Sequence, residues 1–452
     1  MGISISKVAL TAFELANEFY IALGSGFWGI AVLINHGLQN QRYGGTFCLS
    51  TITAVCLIYL MNSETIMEAS KRKIIVISGC DSGLGFSMAL HLCDRGFMVL
   101  AGCLDMKSDG AKKLRSAGVR SFDLNVTSVE SVSNAVKYVS KVIEENSGNE
   151  LWAVINNAGV MVFAEFEWQT DKLMSDQITV NLMGNMRMTK GFAPMLRQYR
   201  ARLINVSSHC ALESLPGLSV YGASKAAIKG LTDSLRVELG KYGVTVISFI
   251  PGSFPTQSNI LARQMDYVYE MRSAFTKEQE EFYGDYFQRY NAYLGSIANP
   301  NPARKLNYPD LYLQLEHALL AKRPKYRYKV EPLRYCIYHA LFRYSPLCLR
   351  DYFVEMFVRM PRYDPPNQES ILTLNTVMSM RSNYDQSTVS DGWTDSQYSK
   401  YRREDDTFRF DLKESQELLD DAAAVGKRLT SVDLRQAPHH RETSVSSSQA
   451  YL

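Results

Sequence analysis

The sequence predicts an α/β fold: a doubly wound parallel sheet with helices on both faces. Three observations in the 452 residues predict it. Between residues 71 and 321, short Val- and Ile-rich runs, each stopped by Gly, Asn, Ser or Pro, alternate with segments of helical length. These runs are IIVIS (74–78), FMVLAGC (97–103), LWAVINNAG (151–159), RLINVSS (202–208) and VTVISFIPG (244–252). They are almost continuously apolar, as a strand covered on both faces must be. The first run also ends in a glycine-rich turn that leads into a helix-like stretch, Phe86 to Leu92.

Ahead of this domain, residues 1–70 are expected to form a membrane anchor of one or two transmembrane helices. No Asp, Glu, Lys or Arg occurs between Glu18 and Arg42, or between Arg42 and Glu64. A spanning helix needs about 20 mainly apolar residues. Residues 43–63 are the stronger candidate, because Gly24, Gly26, Gly29 and Gly37 weaken the first stretch. A cleaved secretory signal is disfavoured by the late apolar start, and an Arg-rich presequence by Glu14 and Glu18. Lys71, Arg72 and Lys73 then place the rest of the chain on the cytoplasmic or matrix side of an endoplasmic-reticulum or mitochondrial membrane.

Behind the domain, residues 322–362 carry ten Lys and Arg against three acids, interleaved with Tyr, Phe, Leu and Met. That pattern suggests interfacial helices on an anionic bilayer. Residues 363–452 are rich in Ser, Asp, Gln and Arg, hold ten basic and fifteen acidic residues, and read as a disordered tail. The whole chain is balanced at 49 basic and 46 acidic residues, which gives no nucleic-acid signal. Its eight cysteines form no CxxC pair and read as reduced thiols. The seven histidines form no HExxH or metal-spaced cluster, so no metal is expected from spacing, and no GxSxG elbow surrounds Ser208.

Three motifs carry chemistry. In SGCDSGLG (78–85), Gly79, Gly83 and Gly85 let the backbone approach a pyrophosphate at a helix N-terminus, with Ser82 and Leu84 between them. At Asn156-Asn157-Ala158-Gly159, small residues leave room for a flat group over the strand ends. Tyr221 and Lys225 are i and i+4, so on a helix they share a face. A nearby ammonium lowers a phenol pKa from its ordinary value near 10, which fits Tyr221 for general acid/base work. The Ser208 hydroxyl would hold the same substrate oxygen. Each motif alone is also an ordinary turn or a solvated helix face.

Taken in order, SGCDSGLG, NNAG, Asn181, Ser208, Tyr221-xxx-Lys225 and Pro251-Gly252 resemble the short-chain dehydrogenase/reductase family over residues 71–330. The resemblance implies a single Rossmann domain and hydride transfer between a carbinol carbon and a nicotinamide. It makes Asn181, Ser208, Tyr221 and Lys225 catalytic, Asn181 by positioning a water and the lysine in a proton relay. It assigns Gly79, Ser82, Gly83, Leu84, Gly85, Asn125, Val126, Asn156, Ala158, Gly159, Tyr221, Lys225, Pro251, Gly252 and Thr256 to the cofactor. Asp105 is the first acid after the second strand and is the candidate for the adenosine ribose. Asn125 stands where the family usually has an Asp that accepts from the adenine amino group, and Ser78 where Thr is usual.

NAD is expected over NADP, because the turn offers Asp81 and the second strand is followed by Cys103 and Leu104 rather than a cation. GCDSGLG, VLAGCLD, NLMGNMRMTKGFAPMLR and EHALLAKRPKYRY look most like the membrane-associated subgroup, which holds retinol dehydrogenases, 17β-hydroxysteroid dehydrogenase type 2 and D-3-hydroxybutyrate dehydrogenase. The subgroup implies a homo-oligomer. Within the domain, residues 253–309 would close over the substrate, and their Tyr and Phe side chains suit a steroid or retinoid. The alternatives are a 3-hydroxybutyrate-type dehydrogenase and a scaffold that keeps the fold without turnover.

Overall fold

Seven parallel strands form one sheet in the order β3-β2-β1-β4-β5-β6-β7. A computed structural model describes residues 66–252, 258–297, 303–358 and 360–364. Both charge-free stretches of the expected anchor, all but two residues of the expected tail, and Thr256 lie outside these. Among the described residues no helix is long and apolar enough to cross a membrane.

The strands are β1 (Lys73–Ser78), β2 (Met98–Cys103), β3 (Arg120–Asp123), β4 (Glu150–Asn156), β5 (Arg202–Val206), β6 (Thr245–Ile250) and β7 (Arg327–Lys329). The helices are α1 (Gly83–Asp94), α2 (Asp109–Ser116), α3 (Val129–Glu144), α4 (Asp171–Ile178), α5 (Gly184–Gln198), α6 (Ser219–Gly240), α7 (Gln264–Ser273), α8 (Lys277–Ile297), α9 (Pro309–Leu320), α10 (Leu333–Tyr344) and α11 (Leu347–Val358). A five-residue π-helical turn, Thr179–Met183, joins α4 to α5.

Strand periodicity explains why both sheet faces are apolar. Ile75 and Ile77 point into one layer with Phe86, Met88 and Leu92 of α1 and Leu311, Leu315 and Leu319 of α9. Ile74 and Val76 point the other way, against Val132, Val139 and Val142 of α3 and Met188, Phe192 and Leu196 of α5. Side chains define the helix starts: the hydroxyls of Ser108, Ser128 and Thr170 accept from backbone N–H groups in the first turns of α2, α3 and α4.

The sheet does not stop with the domain boundary expected at residue 321. β7 lies inside the basic segment and pairs in parallel with β6, so the chain must cross over α9 before it can turn outward. The end of α9 is fastened from three directions. Arg202 donates to the carbonyls of Ala318 (2.6 Å) and Ala321 (2.8 Å), Trp152 Nε1 to Leu319 (2.9 Å), and the Met67 N–H to Leu320 (2.7 Å). These are the terminal carbonyls that a helix leaves unpaired, and a cation there also opposes the helix dipole. Arg202→Ala is therefore expected to destabilise the fold by about 2–4 kcal/mol, since it orphans two buried carbonyls. A denaturant midpoint equal to that of the unaltered chain would contradict this role.

Candidate active site

The strand order reverses between β1 and β4, which opens a crevice at their carboxyl ends, the usual ligand position in such sheets. The turn after β1 is locked to the turn after β4. Asn157 N–H (3.0 Å) and Ala158 N–H (3.1 Å) donate to Ser78 Oγ, and the Asn157 side chain donates to the carbonyls of Ser78 (2.9 Å) and Gly79 (3.0 Å). Gly79 has φ +72 and Gly83 φ +57, the left-handed region that disfavours a side chain. A Cβ on Gly85 would lie 2.1 Å from the Gly79 carbonyl oxygen. Unlike α2, α3 and α4, α1 has no side-chain cap: Ser82 accepts no bond there, and the first turn holds no acid. Open N–H groups at a glycine-lined helix N-terminus fit the pyrophosphate of a dinucleotide.

The other side of the crevice is built by α6, the π-helical turn and the loop after β5. Tyr221 and Lys225 both lie on the buried face of α6, with the Lys225 ammonium 5.7 Å from the Tyr221 ring centre. Lys225 Nζ donates to the Val206 carbonyl at 3.1 Å. Asn181 sits on the π-helical turn, an irregularity often found at functional sites. Its Oδ1 accepts from Val160 N–H (2.8 Å), and its Nδ2 donates to the Val160 carbonyl (2.9 Å) and to Ser224 Oγ (3.0 Å). A Cβ on Gly159 would meet Asn181 Oδ1 at 3.3 Å and Lys225 Nζ at 3.5 Å, so these three converge. Ser208 caps a short 3-10 turn, His209–Ala211, and its Oγ accepts from Cys210 N–H at 3.2 Å.

Burial pushes the Tyr221 phenol up from its ordinary value, and the Cys210 thiol adds to that, while the Ser208 hydroxyl pulls it down. Among the protein's own groups, burial outweighs the lowering that the sequence suggested for Lys225. The same desolvation pushes the Lys225 ammonium down to about 8. Cys210 and Leu218 pack on Tyr221, with Met161, Phe163 and Leu215 around them, so the mouth of the site is apolar. Leu215 also touches the cluster of Tyr338, Phe342 and Val354, which brings α10 and α11 to its rim.

Several expected cofactor residues stand elsewhere or have other duties. Asn156 is buried, and its Nδ2 donates to Asn205 Oδ1 (2.9 Å) and Thr189 Oγ1 (3.1 Å) within the interior; its neighbour Asn157 holds the crevice. Asn125 Oδ1 already accepts from Thr127 N–H (2.9 Å) and Thr127 Oγ1 (2.7 Å). Both lone pairs of the oxygen expected to accept from adenine are thus used. Val126 is buried against α3 and α5. Asp105 Oδ1 accepts from Lys107 N–H at 2.7 Å, within its own loop. The acid fixed at the end of β2 is instead Asp81, whose carboxylate accepts from the N–H groups of Leu104 (2.9 Å) and Asp105 (2.8 Å). Leu84 stands in the first turn of α1 and Ala158 in the turn after β4, and Pro251 and Gly252 directly follow β6.

The aromatic residues of α7 and α8 are mostly core. Tyr267, Tyr286, Phe287 and Tyr290 pack with Val162 and Ala164 around Trp168, whose ring lies 5.0–5.8 Å from four of the surrounding rings. Tyr283 donates to Glu167 and Tyr286 to Glu165, so these hydroxyls are spent inside the chain.

Although spacing in the sequence gives no metal cluster, the fold brings His209, Glu331 and His339 together, with ligand atoms within 4.8 Å of one another. The 121 residues between the first two hid it from any reading of spacing.

A Gly-lined helix N-terminus facing a Ser, Tyr, Lys and Asn set across a parallel-sheet crevice defines an NAD(P)-dependent dehydrogenase acting on CH–OH groups. The short chain dehydrogenase profile matches residues 73–266, and the chain belongs to that family. It is similar to estradiol 17-beta-dehydrogenase 2 of Rattus norvegicus, 32% identical over 75% of this chain and 88% of the relative. It also matches D-beta-hydroxybutyrate dehydrogenase, mitochondrial, of Mus musculus (33%; 58% and 77% covered) and retinol dehydrogenase 7 of Rattus norvegicus (34%; 60% and 84% covered).

Proposed function

We propose that this chain is an NAD-dependent oxidoreductase acting on the alcohol or carbonyl of a lipophilic substrate of steroid or retinoid type. The observation that carries this reading is the meeting of Ser208, Tyr221, Lys225 and Asn181 at a site mouth packed with Met161, Phe163, Leu215 and Leu218. NAD, when bound, supplies the hydride acceptor. Gly79, Ser82, Gly83, Leu84 and Gly85 would hold its pyrophosphate, and Ala158 and Gly159 leave it room. Ser208 Oγ orients the substrate oxygen, and Tyr221 takes the hydroxyl proton in oxidation or gives it in reduction. Lys225 sets the field at the phenol, and Asn181 holds the Val160 backbone and α6 in register around it.

The fixed carboxylate of Asp81 supports NAD over NADP, since a 2′-phosphate beside it would meet like charge. The names of two relatives support a lipophilic substrate. Membrane attachment through residues 1–70 and through α10 and α11 belongs to the same reading, with the catalytic domain on the cytoplasmic or matrix side. Those helices expose Ile337, Tyr344, Leu347, Leu349, Tyr352 and Met356, beside Arg343 and Arg350.

The test is a panel of steroids, retinols and short hydroxy acids with NAD and NADP, read by NAD(P)H absorbance in detergent. Turnover is expected with a lipophilic alcohol and NAD, and Asp81→Asn should narrow the preference for NAD by about tenfold. Turnover of 3-hydroxybutyrate alone would refute the substrate class, and binding of NAD without turnover of any substrate would favour a scaffold.

A further inference from the structure

The geometry assigns His209, Glu331 and His339 as a divalent-metal site of zinc type, which fastens the C-terminal helix pair to the loop that carries Ser208. It is the one cluster of metal-type donors among the described residues. His209 stands on the short turn after β5, Glu331 just beyond β7, and His339 on α10. His209 and His339 are buried and Glu331 partly so, with side-chain exposures of 7%, 8% and 7%.

Two of the donor spacings are those of a coordination sphere, and all three donors lie within 4.8 Å of one another. His209 Nδ1 lies 3.2 Å and His339 Nδ1 3.4 Å from the same oxygen, Glu331 Oε1. In a tetrahedral site with bonds of about 2.0–2.1 Å, neighbouring ligand atoms are about 3.3 Å apart. His209 is only 6% exposed, and its Nδ1 has Glu331 as an ion-pair partner at 3.2 Å without the alignment of a good hydrogen bond. A metal ion between Nδ1 and the carboxylate would give that nitrogen a bond along its lone pair, which the present contact does not supply. Two imidazoles and a carboxylate suit zinc better than calcium or magnesium, which favour all-oxygen shells.

The surroundings can receive such an ion. Cys336 donates to the other oxygen of Glu331 at 3.0 Å, a contact that orients the carboxylate. Tyr335 packs its ring against both histidines, and Glu213, itself buried, adds negative charge near His339. Arg343 lies 3.7 Å from Glu213 on the outer side. The competitor is Lys329, whose ammonium is 3.0 Å from Glu331 Oε1 with the side chain 19% exposed. A metal ion replaces it on the carboxylate, and the lysine swings to solvent.

This assignment does not depend on the proposed substrate or on turnover. The full chain, purified in detergent from metal-depleted medium, is titrated with Zn²⁺ against a chromophoric chelator and separately with Co²⁺. One equivalent of tight Zn²⁺ and the visible bands of four-coordinate Co²⁺ are expected. His339→Ala and Glu331→Gln should each weaken Zn²⁺ by at least about 100-fold, with far-ultraviolet circular dichroism and NAD binding as checks of folding. Lys329→Ala keeps every ligand and should tighten Zn²⁺ by about tenfold, so the inference remains falsifiable even if a ligand variant fails to fold. Sub-stoichiometric binding, a six-coordinate Co²⁺ spectrum, or an affinity unmoved by Lys329→Ala would each overturn it.

Discussion

Tyr221→Phe is expected to bind NAD as the unaltered chain does and to lose turnover by on the order of 10³-fold. The phenyl ring keeps the packing against Cys210 and Leu218 but deletes the oxygen proposed to exchange a proton with the substrate. Positioned acid/base groups contribute about 10²–10⁴-fold, which sets the scale. Cofactor affinity by fluorescence titration and single-turnover NADH formation separate the two effects. Turnover within tenfold of the unaltered chain would place the proton transfer on another group.

Lys225→Met is expected to lose turnover by at least about 10²-fold and yet to be more stable than the unaltered chain at pH 7. Burial holds the Lys225 ammonium at about 8 in the fold, against an ordinary 10.5. It donates to a neutral carbonyl, that of Val206. Below pH 8 both folded and unfolded chains carry the proton, and the folded state bears the full desolvation cost of about 3 kcal/mol. Between pH 8 and 10.5 the unfolded chain binds more protons, so the stability contributed by this group rises with pH across that window. Methionine removes the cost and gives up a hydrogen bond of about 1–3 kcal/mol, which leaves a net gain of about 1 kcal/mol at pH 7. The difference between the two chains should shrink, and then reverse, as pH rises from 8 to 10.5. Denaturant midpoints at pH 7 and pH 10 give the answer; a variant less stable at pH 7 would show that the Val206 contact outweighs the buried charge.

A residue costly to the fold at the proposed site fits a position where stability and chemistry pull apart. It also shows where sequence reasoning works. Tyr221 and Lys225 were readable because a helix converts a spacing of four into a shared face, and the glycine turn because glycine adopts φ +72 without steric cost. Asn125 shows the limit of spacing: its Oδ1 accepts twice from Thr127, a local bond that competes with any ligand and that the position in the sequence does not reveal. Asp105 and Asp81 exchanged importance for a similar reason. Only the paired turns after β1 and β2 bring the Asp81 carboxylate onto the Leu104 and Asp105 backbone.

The sequence by itself determined the parallel sheet, the glycine turn and the shared helix face of Tyr221 and Lys225, because each follows from short-range periodicity or from a motif that one or two elements hold. Tertiary structure alone decided which of the aromatic residues of α7 and α8 are core around Trp168, that β7 completes the sheet inside the basic segment, and that Arg202 ends α9. It alone brought His209 to Glu331 and His339. Those contacts join residues scores to more than a hundred positions apart, and no local pattern records them: they exist only once the apolar layers have closed and set the distances between side chains that the chain itself leaves far apart.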